Sequence, residues 1–129
     1  MTRSLIAVTA GSVAAFLAYW FGAVVALIVM HGIPLGSAGG APATADIAVH
    51  LGLTAIATFG GSRLAIRLGR TAPRAHGLAV GLVLAVGAVA AFGGASSSWP
   101  RWFGFAIAAA SCAGAIAAVW WRTPAAPIQ

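Results

Sequence analysis

The chain has no lysine, no glutamate and no asparagine, and Asp46 is its only acidic side chain. Charged residues make up 6% of its 129 positions, against 61% hydrophobic ones. A water-soluble domain is roughly a quarter charged, and with so few charges its surface would be one continuous apolar patch. A soluble fold is therefore excluded, and lipid is the solvent that suits this composition. The lack of carboxylates also excludes most hydrolytic and proton-transfer chemistry. No carboxylate pair and no nucleophile–base pair can be assembled, so no enzyme is expected. The single cysteine, Cys112, cannot form an internal disulfide, and no CxxC or zinc-like spacing occurs. It lies inside an apolar run, where it is expected to pack as a small hydrophobe. No cofactor is expected.

What the chain does contain is four apolar runs, each near the 20 residues that cross a hydrocarbon core about 30 Å thick. They cover about 5–30, 47–68, 77–94 and 100–121 of a single integral membrane domain, 1–129. The first is too long for the 7–15-residue apolar stretch of a signal peptide, so it is read as a span. Thr44 or Asp46 can cap the second, and the carboxylate suits the positive end of the helix dipole. The fold class that follows is an all-α membrane protein, four transmembrane helices in an antiparallel bundle.

The arginines orient that bundle. With four spans, both termini and the loop between spans two and three share one side. Arg3, Arg63, Arg67, Arg70, Arg74 and Arg122 fall there, against Arg101 alone on the other side. Positive charge is retained on the cytoplasmic face, so both termini are expected to be cytoplasmic. Arg63, Arg67, Arg70 and Arg74 are read as the topology signal and as contacts to lipid headgroups, with Arg63 and Arg67 snorkelling from the end of span two. The net charge of +6 is thereby a membrane signature, and nucleic acid is not an expected partner. Trp99 and Trp102 mark the outer end of span four, and Trp120 and Trp121 the inner end, as interfacial rings do. Tyr19 and Trp20 lie deeper in span one. A phenol at that depth requires a partner inside the protein, so this face is expected to meet another helix.

Without a hydrophobic force between helices in lipid, small residues that allow close approach mark the packing seams. Ala7, Gly11, Ala15, Ala18 and Gly22 form such a stripe in span one. Gly77, Gly81, Ala85 and Ala88 form one in span three, and Gly104, Ala108, Ser111 and Ala115 one in span four. Polar chemistry is sparse. His31, Asp46 and His50 all fall near the outer boundary, where two imidazoles and a carboxylate form a weak candidate metal or proton-handling set. The alternative reading makes Asp46 a cap and the histidines interfacial anchors. His76, beside the arginine hairpin, is read as interfacial.

Small multidrug resistance transporters share this length and span number but depend on a glutamate in the first span, which is absent here. The order "FGGSRLAIRL", "PRAHGLAVGLVL", "WPRWFGFAI" resembles a group of small bacterial four-span proteins over about residues 55–122. Pro73 and His76 match its Pro-x-x-His entry to span three. Pro100, Trp102 and Phe103 match its Pro-x-Trp-Phe entry to span four. The acidic residue that this group often carries before a Gly-His step in span one is missing at Met30-His31-Gly32. The resemblance implies a bacterial inner-membrane protein and supplies no activity. Arginine without lysine, with abundant alanine and glycine, fits a GC-rich bacterial genome.

Three functional expectations result. The first is a non-enzymatic structural or accessory subunit of a larger membrane assembly, partnered by the lipid bilayer and by other subunits or further copies of itself. The second is an oligomeric channel or carrier for a small solute or ion, lined by Thr9, Ser12, Thr54, Thr58 and Ser111. The third is an outer-face metal-binding protein using His31, Asp46 and His50.

Overall fold

The computed structural model describes residues 2–32, 44–69, 72–92 and 99–121. These form four α-helices, α1 (Thr2–His31), α2 (Thr44–Leu68), α3 (Pro73–Phe92) and α4 (Phe103–Trp120), with no strand among the described residues. Each is long and apolar enough to cross a membrane. Backbone polar groups can find no partner in hydrocarbon, and a helix satisfies them within its own segment.

The helix ends follow local rules and differ by a few residues from the apolar runs. α1 begins at Thr2 and takes Arg3 into its first turn. It stops at Gly32, whose φ of +66° is left-handed and whose N–H returns to Ile28 O at 3.0 Å. α2 starts at Thr44, with Asp46 in its first turn, and closes through Gly69 N–H on Ala65 O at 2.9 Å. α3 begins at Pro73, ahead of the expected start at 77, because proline fits a first helical position whose N–H has no intrahelical acceptor. The expected end at Gly94 lies outside the described residues. α4 begins only at Phe103, after a turn in which Phe103 N–H reaches Pro100 O at 2.8 Å.

α2 is the central element and packs against α1, α3 and α4; α3 also packs against α4 and α1. The interior is built from small residues. Ala7, Ala15, Ala57, Ala65, Ala85, Ala88, Ala115 and Ala118 are buried, and Phe103 is the largest fully buried side chain. Leu5, Phe21, Val29, Ile56, Leu82, Phe105 and Trp120 face outward. Lipid solvates such side chains as well as a protein core does, so close backbone approach decides what lies inside.

Three seams show that approach. A Cβ on Gly11 would lie 2.6 Å from Gly61 O and 2.9 Å from Val80 Cγ2. One on Gly81 would lie 2.5 Å from Ala115 Cβ. One on Gly114 would meet Ala55 O and come within 3.2 Å of Phe59 N. Gly77 sits against Ile66, Gly22 against Leu53, and Gly104 is buried. Ala18 leaves the expected stripe of α1 and faces outward. Cys112 also lies on the outer surface of α4, so it packs against no sister helix.

Candidate functional site

Polar side chains gather at the two ends of α2. At its N-terminal end, His31 Nε2 and Asp46 Oδ1 are 2.7 Å apart, a hydrogen bond that becomes an ion pair when the imidazole is protonated. One turn further along α2, the Tyr19 hydroxyl meets His50 Nδ1 at 2.8 Å. The phenol thus finds the partner it needs at that depth, whereas Trp20 turns outward and is 55% exposed. The His50 ring stands edge-on to Trp99 at 5.1 Å and to Phe103 at 6.4 Å, and Trp99 stacks on Phe103 with centroids 4.2 Å apart. Trp99 is therefore part of the packed aromatic cluster, while Trp102 and Trp120 remain exposed.

His31, Asp46 and His50 line one cavity of about 30 Å³ together with Ala23, Met30 and Val49. That volume is on the scale of one water molecule. The expected three-ligand set does not form. His31 and Asp46 engage each other, and His50 directs Nδ1 to Tyr19 instead of joining them. Among the described residues, no group of three His, Cys, Asp or Glu side chains is placed to hold a metal ion.

At the other end of α2, Arg63 reaches the end of α4. It is half-buried, and its Nη1 donates to Trp121 O at 3.2 Å and Ala118 O at 3.4 Å. The guanidinium thereby caps the C-terminal carbonyls of α4, where helix geometry leaves acceptors unpaired and the dipole favours a cation. Arg67 and Arg74 are exposed. Arg70 and Arg122 lie outside the described residues. Phe59, Gly60, Arg63, Leu64, Arg67 and Trp121 border an open cavity of about 500 Å³. Phe59 and Trp121 meet edge to face across it, with centroids 5.9 Å apart.

Two polar groups sit deeper. Ser62, fully buried, donates Oγ–H to Gly77 O at 2.9 Å and ties α2 to α3. His76, at the entry to α3, is 7% exposed and lodged beneath Gly69. The Thr54 and Ser111 hydroxyls, candidates for lining a pore, donate to their own helices at His50 O (2.7 Å) and Ile107 O (3.0 Å). Thr58 is buried, Ser12 is half-buried and Thr9 faces outward.

Sequence reasoning passed over Ser62 and the α2 seam of Thr54, Ala57, Thr58, Gly61, Ser62 and Ala65. Their helical spacing was the available signal. Comparison with protein-family models, with curated proteins and with solved structures finds no match to this chain.

Proposed function

We propose that this chain is a multi-pass protein of the bacterial inner membrane that acts as a non-enzymatic structural or accessory subunit of a larger membrane assembly. In this reading the four helices run antiparallel and both termini are cytoplasmic. The register between α1 and α2 supports the antiparallel arrangement: Gly11 meets Gly61, Gly22 meets Leu53 and His31 meets Asp46. The arginine distribution supports the orientation, and arginine without lysine in an alanine- and glycine-rich chain fits a bacterial source.

One observation carries the partner. α1 buries only Ala7, Gly11 and Ala15, and its outer face carries Phe16 and Trp20 packed edge to face at 6.5 Å. Trp20 lies about 16 Å from the His31 end at 1.5 Å per residue, near the middle of a 30 Å hydrocarbon layer. Indoles favour the interface, and an indole N–H facing acyl chains lacks an acceptor. A helix from another subunit laid on this face supplies one.

Extraction in a mild detergent followed by native mass measurement tests the reading. The expected result is a complex larger than one chain that weakens in Trp20→Leu. Recovery of the wild type solely as a free monomer overturns it. A homo-oligomer that conducts ions or small solutes in liposomes would replace it with the channel reading.

A further inference from the structure

The open cavity along the C-terminal half of α2, bounded by Trp121 just past the end of α4, combines two characters. Its mouth carries the guanidinium groups of Arg63 and Arg67, one helical turn apart. Its walls are the rings of Phe59 and Trp121 and the side chain of Leu64. Gly60 leaves the floor open, since a Cβ built there meets nothing within 4 Å. At about 500 Å³ the space is in the range of sites that hold small organic ligands.

Among the described residues no carboxylate lies beside Arg67. Arg63 faces the carbonyl end of α4, which carries roughly half a negative charge. Arg67 is exposed, and the one acidic side chain, Asp46, is at the opposite end of α2. No described residue supplies an anion to Arg67, and one from outside the protein complements it. A soluble anion would use the two arginines and leave the aromatic walls and the open floor without a role. A phospholipid uses both.

We infer that this groove is a binding site for one anionic phospholipid. The phosphodiester sits at Arg67, beside the Arg63 guanidinium that α4 holds in place. An acyl chain runs over Gly60 and Leu64, alongside the paired rings of Phe59 and Trp121. This inference requires that the chain span a bilayer, and it stands whether or not the chain serves a larger assembly.

The test is lipid titration of the delipidated full chain in detergent, read by native mass spectrometry. Phosphatidylglycerol and phosphatidylcholine with identical acyl chains are the two probes. The wild type is expected to bind one phosphatidylglycerol about tenfold more tightly than phosphatidylcholine, as a charge-assisted contact allows. Arg67→Gln removes that preference and leaves phosphatidylcholine binding unchanged. Gly60→Leu fills the groove, at an open helix position where leucine improves helix propensity, and weakens both lipids. Arg74→Gln, exposed on α3, changes neither.

Equal binding of the two lipids by the wild type overturns the site. So does a loss in Arg74→Gln as large as that in Arg67→Gln, which would mean diffuse surface charge. Unaltered binding in Gly60→Leu overturns the groove as the location. Full displacement of phosphatidylglycerol by millimolar inorganic phosphate would make it a phosphate site rather than a lipid site.

Discussion

Gly60 and Gly61 are neighbours on α2 with opposite surroundings. A methyl group on Gly60 enters open space, whereas one on Gly61 collides with Gly11 O and comes within 2.7 Å of Ala15 Cβ. The obstacle at Gly61 is the backbone of α1, which cannot turn aside as a flexible side chain can. Gly61→Ala should therefore force α1 away from α2 and cost about 1–3 kcal/mol, while Gly60→Ala should be neutral or stabilising. Thermal loss of helical circular dichroism in detergent checks this, and equal midpoints for the two variants would contradict the seam. Ser62 and Tyr19 make the polar contribution. Ser62→Ala removes the buried bond to Gly77 O, and Tyr19→Phe removes the partner of His50 Nδ1. Each is expected to cost about 0.6 kcal/mol, the mean measured for hydrogen bonds between membrane helices, and no more than about 1.7. Tyr19's need for an internal partner was legible from its depth in the span. The identity of that partner was not, because it depends on how α1 and α2 align. The bonds of Arg63 to the end of α4 were hidden for a similar reason. A guanidinium at a span end can reach headgroups, another helix's carbonyls or both, and the carbonyls it meets depend on where α4 ends.

At the scale of elements, the four helices were legible as apolar runs, because length and hydropathy alone determine what can cross hydrocarbon. Their ends were less so. A polar first turn such as Thr44-Ala45-Asp46, or a Pro73 entry, extends a helix beyond its apolar run, since capping rather than hydropathy sets the terminus. The central place of α2 was also hidden. It is the least apolar of the four, and its seam mixes Thr54, Thr58 and Ser62 with Ala57, Gly61 and Ala65. The seam of α1 is glycine and alanine alone, and those of α3 and α4 repeat them at helical spacing, so they stood out. Buried hydroxyls suit the central helix because they can bond their own or a neighbouring backbone, as Thr54 does to His50 O and Ser62 to Gly77 O. The alignment of α1 with α2 has a direct chemical test. The tips of His31 and Asp46 meet at 2.7 Å, so His31→Cys and Asp46→Cys, combined on a Cys112→Ala background, should be joined by a short bifunctional thiol reagent. Pairing Thr2→Cys with Asp46→Cys instead should give no product. A helix of 30 residues is about 45 Å long, so joining residues 2 and 46 would need α1 to run the other way along α2.

For the whole molecule, the decisive property is the solvent around it. Cys112 is on the surface of the folded chain, near the middle of α4. In a water-soluble protein such a thiol would be open to reagents in solution. In a spanning helix it faces acyl chains about 12–14 Å from either end of α4, where a charged reagent does not enter. We therefore expect a membrane-impermeant charged maleimide to leave Cys112 unmodified in intact membranes, and to label it once the chain is unfolded in sodium dodecyl sulfate. Orientation follows from the same chemistry. On a Cys112→Ala background, Arg101→Cys should be labelled from outside intact spheroplasts. Thr2→Cys and Arg74→Cys should react only in inverted vesicles, because guanidinium groups are retained on the cytoplasmic side. Rapid labelling of native Cys112 in the membrane would mean that the outer face of α4 is wet, and the lipid-solvated bundle would be wrong. Labelling of Thr2→Cys and Arg101→Cys from the same side would leave an even number of crossings between them. In that case one of the four apolar helices lies outside the bilayer, and the charge asymmetry that orients the others must be counted again.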